Sequence, residues 1–273
     1  MVPPEFQKIL EKVRNNANIM PKKQLEKILK EELGNDWNLK FKSFDMKPFA
    51  SASIGQVHKG ILLDGKEVAI KIQYPGVAES IDSDIQNLRR LQSLTNIFPP
   101  GVYLDSIMKQ AAIELKAECD YFQELKNQKK FKENFKDDKN IYVPTVYEDL
   151  STKNILVSEF VHGVALEKIL NENQQLRDLF ASTILKISLM ELFTFKSMQT
   201  DPNFSNFIFD PKSKKINLID FGAITDFPDE FVEEYVNIIY HASIDIKPEI
   251  IIDSSRKLGF LTGDENALMN EGK

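Results

Sequence analysis

The sequence predicts an α+β fold of two unequal lobes. Three observations carry it: strand-like segments come early, helical periodicity dominates late, and a glycine-bearing connector at Val161–Gly163 reads as the hinge between them. Residues 1–161 should hold the N-terminal helices and a lobe of strands with inserted helices, and 162–273 a helical lobe. At 273 residues and 42% hydrophobic content the chain can bury a real core.

The elements follow in order. Phe6, Ile9, Leu10 and Val13 repeat at i, i+3, i+4, i+7, and Leu25, Ile28, Leu29 and Leu33 nearly do so before Gly34, a residue suited to a helix C-cap. Two amphipathic helices therefore open the chain. Phe41–Met46, Ser53–Lys59 and Glu67–Gln73 read as strands, the last two joined across Asp64-Gly65. In the third, Val68, Ile70 and Ile72 alternate with Ala69, Lys71 and Gln73, so Lys71 points away from the core face. Helices are expected over Val77–Asn96 and Tyr103–Leu125, separated by the breaker "FPPG", and the charged run "KKFKENFKDDKN" reads as a solvated connector. Strand pieces recur at Thr145–Tyr147 and Ile155–Val161, and the chain is then helical to about Met190. "NFIFD" and "KINLID" form a hairpin around Asp210–Lys214, and a helix resumes after Pro228.

Composition excludes several classes. A net charge of −6 argues against a nucleic-acid partner held by a general basic surface. Cys119 is the single cysteine, and His58, His162 and His241 have no metal-ligand spacing. No apolar run reaches the ~18 residues that a membrane span needs.

Four features then fall in a telling order. "PFASASIGQVHKG" offers a loop of small residues with one glycine, Gly55; Lys71 follows on a strand; "DPNFSN" supplies D-x-x-x-x-N; and "DFG" comes last. Each is weak alone, yet the order is that of a protein-kinase-like site. ATP brings concentrated negative charge that must be positioned and neutralised before its terminal phosphoryl group can move. Lys71 would supply the fixed cation, Asp220 and Asn206 the hard oxygen ligands for magnesium, and Asp201 would orient a nucleophile or accept its proton. Asp201-Pro202-Asn203 also reads as a turn and Asp220 as a strand-end cap, both compatible with those roles. Adenine would lie against Ala69, with backbone groups of Glu159 to Val161 reading its edge. The Cβ atoms of Ala50, Ser51, Ala52 and Ser53 should make the phosphate-side loop stiffer than a glycine-rich one. In an unbroken helix, Glu118 lies within ~20° of Ala111 on the inward stripe and Glu124 ~240° further round, so phase favours Glu118 as the partner of Lys71.

"PFASASIGQVH", "VAIKIQYPGV", "ECDYFQE", "MQTDPNFSNF" and "LIDFGA" together resemble the UbiB family of atypical kinase-like proteins, in its mitochondrial coenzyme Q branch, over nearly the whole chain. The resemblance implies a protein-kinase-like bilobal fold with an N-terminal helical extension and an alanine-rich nucleotide loop, here Ala50 to Ser53. It implies ATP or ADP with Mg2+ as ligands and support of ubiquinone synthesis through ATPase or atypical kinase activity. It also implies other coenzyme Q biosynthesis proteins as partners, and peripheral contact with the mitochondrial inner membrane on the matrix side. Carried over, the nucleotide lysine is Lys71, the catalytic-loop acid Asp201 and the metal ligands Asn206 and Asp220. The family's E-x-D signature falls on Glu118 and Asp120, and its ion-pair glutamate on Glu124, which requires a helix break near Asp120. Two departures stand out. The family's K-x-G-Q motif, on an extension that covers its active site, does not precede the first helix, so either the chain is a fragment or this member lacks that cover, and the abrupt end at "ALMNEGK" favours the fragment; the loop also carries Ser51 where alanine is commoner.

The enzyme reading is ATP hydrolysis or phosphoryl transfer to a small or lipid-linked molecule. The alternative is a non-catalytic, nucleotide-gated scaffold for a coenzyme Q biosynthetic complex, which has little need of Asp201. A conventional protein kinase fits poorly, because only Ala223–Phe227 separate Gly222 from Pro228.

Overall fold

The computed structural model describes residues 19–94, 112–113, 115–169, 173–200 and 203–261. The helix expected around Phe6–Val13, the "FPPG" breaker and Asp201 lie outside the described residues.

Two compact units are present, the first formed by the described residues through Lys168 together with Asn203–Ala223. Its antiparallel sheet is built from β1 (Phe41–Phe44), β2 (Ala50–Ala52), β3 (Gly55–Leu62), β4 (Glu67–Gln73) and β6 (Ile155–Glu159), in the order β1-β3-β4-β6 with β2 also paired to β3. The period-2 pattern of β4 holds: Val68, Ile70 and Ile72 are wholly buried. Behind them packs α1 (Lys22–Leu33), whose Leu25, Ile28, Leu29 and Leu33 share one core with Phe41, Leu62, Ile155 and Val157. A polar relay ties the start of this helix to the sheet. Met20 N–H donates to Gln56 Oε1 at 3.0 Å, Gln56 Nε2 donates to His58 Nε2 at 2.8 Å, and His58 Nδ1 donates to Asp45 O at 2.8 Å. Burial holds the His58 imidazole below its ordinary range.

The sequence-predicted strand from Ser53 to Lys59 is corrected to a hairpin, β2 turning directly into β3 with Ser51 opposite Gln56. Gly55 sits at its corner because a Cβ there would stand 2.4 Å from the Ile72 carbonyl oxygen of β4. The loop's one glycine therefore serves strand packing. At the next turn Gly65 takes φ +88°, a conformation that disfavours side chains.

The helix read over Tyr103–Leu125 is interrupted near Asp120, as the placing of the ion-pair glutamate on Glu124 required. Residues 115–118 are helical, the chain turns at Cys119, and Asp120 caps a new helix, α3 (Tyr121–Asn134), accepting from Phe122 N–H at 3.0 Å. The helix α2 (Val77–Leu94) precedes that turn. α3 continues into the run read as a solvated connector, because Phe131 and Phe135, one turn apart, are both buried while Glu133 between them is exposed. The strand expected at Thr145–Tyr147 is a single bridge, Val146 to Ser158. A second sheet has the order β5 (Ile141–Tyr142), β10 (Lys215–Leu218), β9 (Phe207–Asp210) and β7 (Val164–Ala165); the expected hairpin is β9–β10, closed by Lys214 at φ +60°.

The second unit comprises the described residues of Ile169–Pro202 and Ile224–Lys273. A short helix, α4 (Leu166–Ile169), leads to it, and α5 (Gln174–Leu189) ends in a π-helical turn at Met190–Thr194. Strand β8 (Ser197–Gln199) pairs with β11 (Ile224–Asp226), and α6 (Asp229–Ser243) lies against α7 (Pro248–Lys257). No helix of the described residues is long and apolar enough to cross a membrane.

Candidate nucleotide and metal site

The chemistry gathers on the face of the first sheet opposite its apolar core. Lys71 projects from β4 and donates from Nζ to both carboxylate oxygens of Glu124, at 2.9 and 2.8 Å. Both side chains are largely buried, at 18% and 5% exposure. Burial alone would push the Lys71 ammonium down, but Glu124 and Asp220 outweigh it and hold the group above the ordinary lysine range. Tyr121, one turn before Glu124 on α3, lies with its ring centroid 5.1 Å from Lys71 Nζ.

The break at Asp120 decides which glutamate takes this place. With α3 starting at Tyr121, its inward face carries Tyr121, Glu124, Leu125, Asn127, Gln128 and Phe131. The phase argument for Glu118 is thereby corrected, because the helix it assumed is interrupted. Glu118 Oε2 instead accepts from Ser53 Oγ at 3.3 Å, and Asp120 is occupied as the α3 cap.

Asp220 arrives from the end of β10. Ile219 N–H donates to the Asn206 carbonyl at 3.1 Å, which brings Asn206 and Asp220 side by side. Asp220 Oδ1 accepts from Gly222 N–H at 3.0 Å. A Cβ at Gly222 would stand 3.4 Å from Asp220 Oδ1 and 3.7 Å from Glu124 Oε2, so both carboxylates converge on the "DFG" turn. Asn203 folds the preceding segment, accepting from Ser205 N–H at 3.0 Å and Ser205 Oγ at 2.8 Å.

A cleft of about 470 Å³ opens over this constellation. Lys71, Glu124, Asn206 and Asp220 line one part, and Val57, Ala69, Leu156, Phe160, Val161 and Ile219 supply apolar wall. Its size and its mix of apolar wall with a few convergent polar groups are those of a small-molecule site. Of the four loop residues, Ser51 and Ala52 border it and Ser53 turns to Glu118. Glu159 is a fixed wall: its N–H donates to Thr145 O at 2.7 Å, and its carboxylate accepts from Tyr142 Oη at 2.6 Å and Thr145 N–H at 3.1 Å. Tyr142 is pushed up to about 12, chiefly by burial and then by that carboxylate.

The donor set fits a hard divalent cation. Among the described residues no cluster of three or more His, Cys, Asp or Glu could hold a metal by itself. Magnesium, however, is commonly held by one or two side-chain oxygens plus phosphates, and Asp220 with Asn206 offers that.

Sequence reasoning missed Tyr121, Asn127 and the seat of Phe221. Asn127 Nδ2 donates to the Phe221 carbonyl at 2.9 Å, and the Phe221 ring packs on Phe131 at a centroid distance of 5.4 Å. The signal was present as i, i+3 and i+7 spacing from Glu124, once α3 is started at Tyr121 and not earlier.

Residues 12–249 match the ABC1 atypical kinase-like domain. The chain belongs to this ABC1 atypical kinase-like family. Among its relatives, "Probable serine/threonine-protein kinase abkA" of Dictyostelium discoideum is 46% identical over 100% of this chain and 50% of its own length. "Atypical kinase coq-8, mitochondrial" of Caenorhabditis elegans is 46% identical over 99% of this chain and 36% of its own. The chain thus spans half or less of the length of these two relatives. The solved complex of Rv3197 with erythromycin from Mycobacterium tuberculosis superimposes with a TM-score of 0.71 at 28% identity, covering 94% of this chain and 65% of that one. The family expected from the sequence motifs and the kinase-like fold are both borne out.

Proposed function

We propose that this ABC1 kinase-like chain binds ATP or ADP with magnesium in the cleft of its first unit and hydrolyses ATP, or transfers its phosphoryl group to a small or lipid-linked molecule, in support of coenzyme Q biosynthesis. The observation that carries this reading is the buried lysine locked bidentately to Glu124, with Asp220 beside it. An isolated ion pair does not need that burial; a phosphate site does, because the lysine must be held charged and fixed in a place that also excludes water. Lys71 would contact phosphate oxygens, Ala69 and the apolar wall would bound the base, and Asp220 with Asn206 would hold the metal. When bound, magnesium neutralises phosphate charge as it develops. Asp201 would orient the acceptor or take its proton. Relatives named as mitochondrial support the mitochondrion as the site of action; the matrix side of the inner membrane and the company of other coenzyme Q proteins rest on the family resemblance of the sequence motifs alone.

The scaffold reading needs Lys71, Asn206 and Asp220 but not Asp201, so Asp201→Asn separates the two. It should keep magnesium-nucleotide affinity and lose about 100-fold or more of turnover, as expected when a general base is removed. Turnover within about tenfold of the parent protein favours the scaffold. Equal loss of binding refutes the role given to Asp201.

A further inference from the structure

The "DFG" turn is held by successive positions on one face of α3. Glu124 faces Lys71 and also receives the Phe221 backbone N–H. One turn on, Asn127 Nδ2 donates to the carbonyl of the same residue at 2.9 Å. A further turn on, Phe131 receives the Phe221 ring. Both polar ends of the Phe221 main chain and its side chain are thus taken by a single helix. Asn127 is 7% exposed, and its Oδ1 accepts from Gln123 Nε2 at 3.1 Å, which orients the amide so that its N–H bonds face Phe221. A buried amide is stable only when satisfied, and the partner it finds here is the residue that follows Asp220.

We propose that Asn127 is a positioning residue of the metal site: by gripping the Phe221 carbonyl it fixes the carboxylate of Asp220 relative to the Lys71–Glu124 pair. The inference rests on the magnesium-nucleotide reading above. The same helix that sets the lysine thereby sets the metal ligand, so neither can be displaced alone. An apolar side chain of similar size at position 127 would fill the space and leave the carbonyl unpaired, freeing the turn to rotate Asp220 away.

The test is the ratio of ADP affinity with magnesium to ADP affinity in EDTA, measured by calorimetry on the whole chain. Asn127→Leu should lower that ratio by about tenfold or more, while affinity in EDTA, set by Lys71 and the cleft walls, stays within about threefold. Asn127→Ala should act in the same direction and carries the test if the leucine variant does not fold. A role in stability alone would lower the melting temperature and leave the ratio unchanged. An unchanged ratio in a folded variant, with a magnesium-dependent parent protein, overturns the inference. A parent protein whose ADP affinity ignores magnesium overturns the metal-site reading itself, and this inference falls with it.

Discussion

Lys71 and Glu124 occupy surroundings where a charge without its partner is costly. Their side chains are 18% and 5% exposed, so truncating one should leave the other poorly solvated. Glu124→Leu should destabilise the chain by roughly 3 kcal/mol, the lower end of the range for a broken buried pair because Lys71 keeps some contact with solvent. The double variant Lys71→Met with Glu124→Leu should recover part of that loss, since no buried charge of the pair is left without its partner, while the Phe221 N–H that Glu124 receives stays unpaired in both variants. Urea unfolding of the three proteins checks it. A double variant as unstable as the single one would mean that the pair contributes packing, not charge compensation. The partner choice also shows what residue-level reading can reach. The alternation of β4 sufficed to aim Lys71, because a strand has one period and no place to slip. Helical phase could not identify Glu124, because it accumulates error across a break; the family motifs did place the pair on Glu124 with a break near Asp120, and the course of the chain at Cys119 and Asp120 shows that break.

Among elements, those with one apolar face were legible and those whose charge masked that face were not. The core side of α1 is visible in Leu25, Ile28, Leu29 and Leu33, whereas the "KKFKENFKDDKN" run hides Phe131 and Phe135 among ten charged or amide residues. The π-helical turn at Met190–Thr194 gave no sequence signal either, and it buries a carboxyl group. Glu191 is 4% exposed, and burial pushes it up to about 7 despite a bond from Gln199 N–H at 3.3 Å. With its folded pKa raised above the ordinary 4.5, the group binds its proton more tightly in the folded state. Its contribution is therefore full below about 4.5 and is lost as pH rises through about 7. Glu191→Gln cannot ionise, so it should gain on the parent protein by roughly 3 kcal/mol between pH 5 and pH 8. Urea midpoints at the two pH values decide it, and parallel changes in both proteins would show that Glu191 does not govern this interval.

At the scale of the molecule, the candidate site is assembled from distant stretches that meet in one unit. Lys71 and Glu124 precede Lys168, and Asn206 and Asp220 come from Asn203–Ala223, which rejoins the first unit after the chain has passed through the second. The order of the motifs was readable in the sequence, and the meeting of Asn206 with Asp220 through the Ile219 N–H was not. Because the described lining of the cleft belongs to this one unit, ligand binding should stabilise the fold without requiring any new contact elsewhere. Nucleotide at 100 times its dissociation constant contributes roughly 2.7 kcal/mol, and at this chain length each kcal/mol moves the melting temperature by about 2 to 4 °C. ADP with magnesium should therefore raise the melting temperature by roughly 5 to 10 °C. Asp220→Ala should remove the magnesium-dependent part of that rise, while Lys71→Ala should reduce the whole, since one group holds the metal and the other the phosphate. Differential scanning fluorimetry up to millimolar nucleotide measures all three. If magnesium with ADP shifts the parent protein no further than magnesium alone, the cleft formed by these residues does not by itself bind nucleotide, and the assignment of Lys71 to phosphate is wrong for this chain.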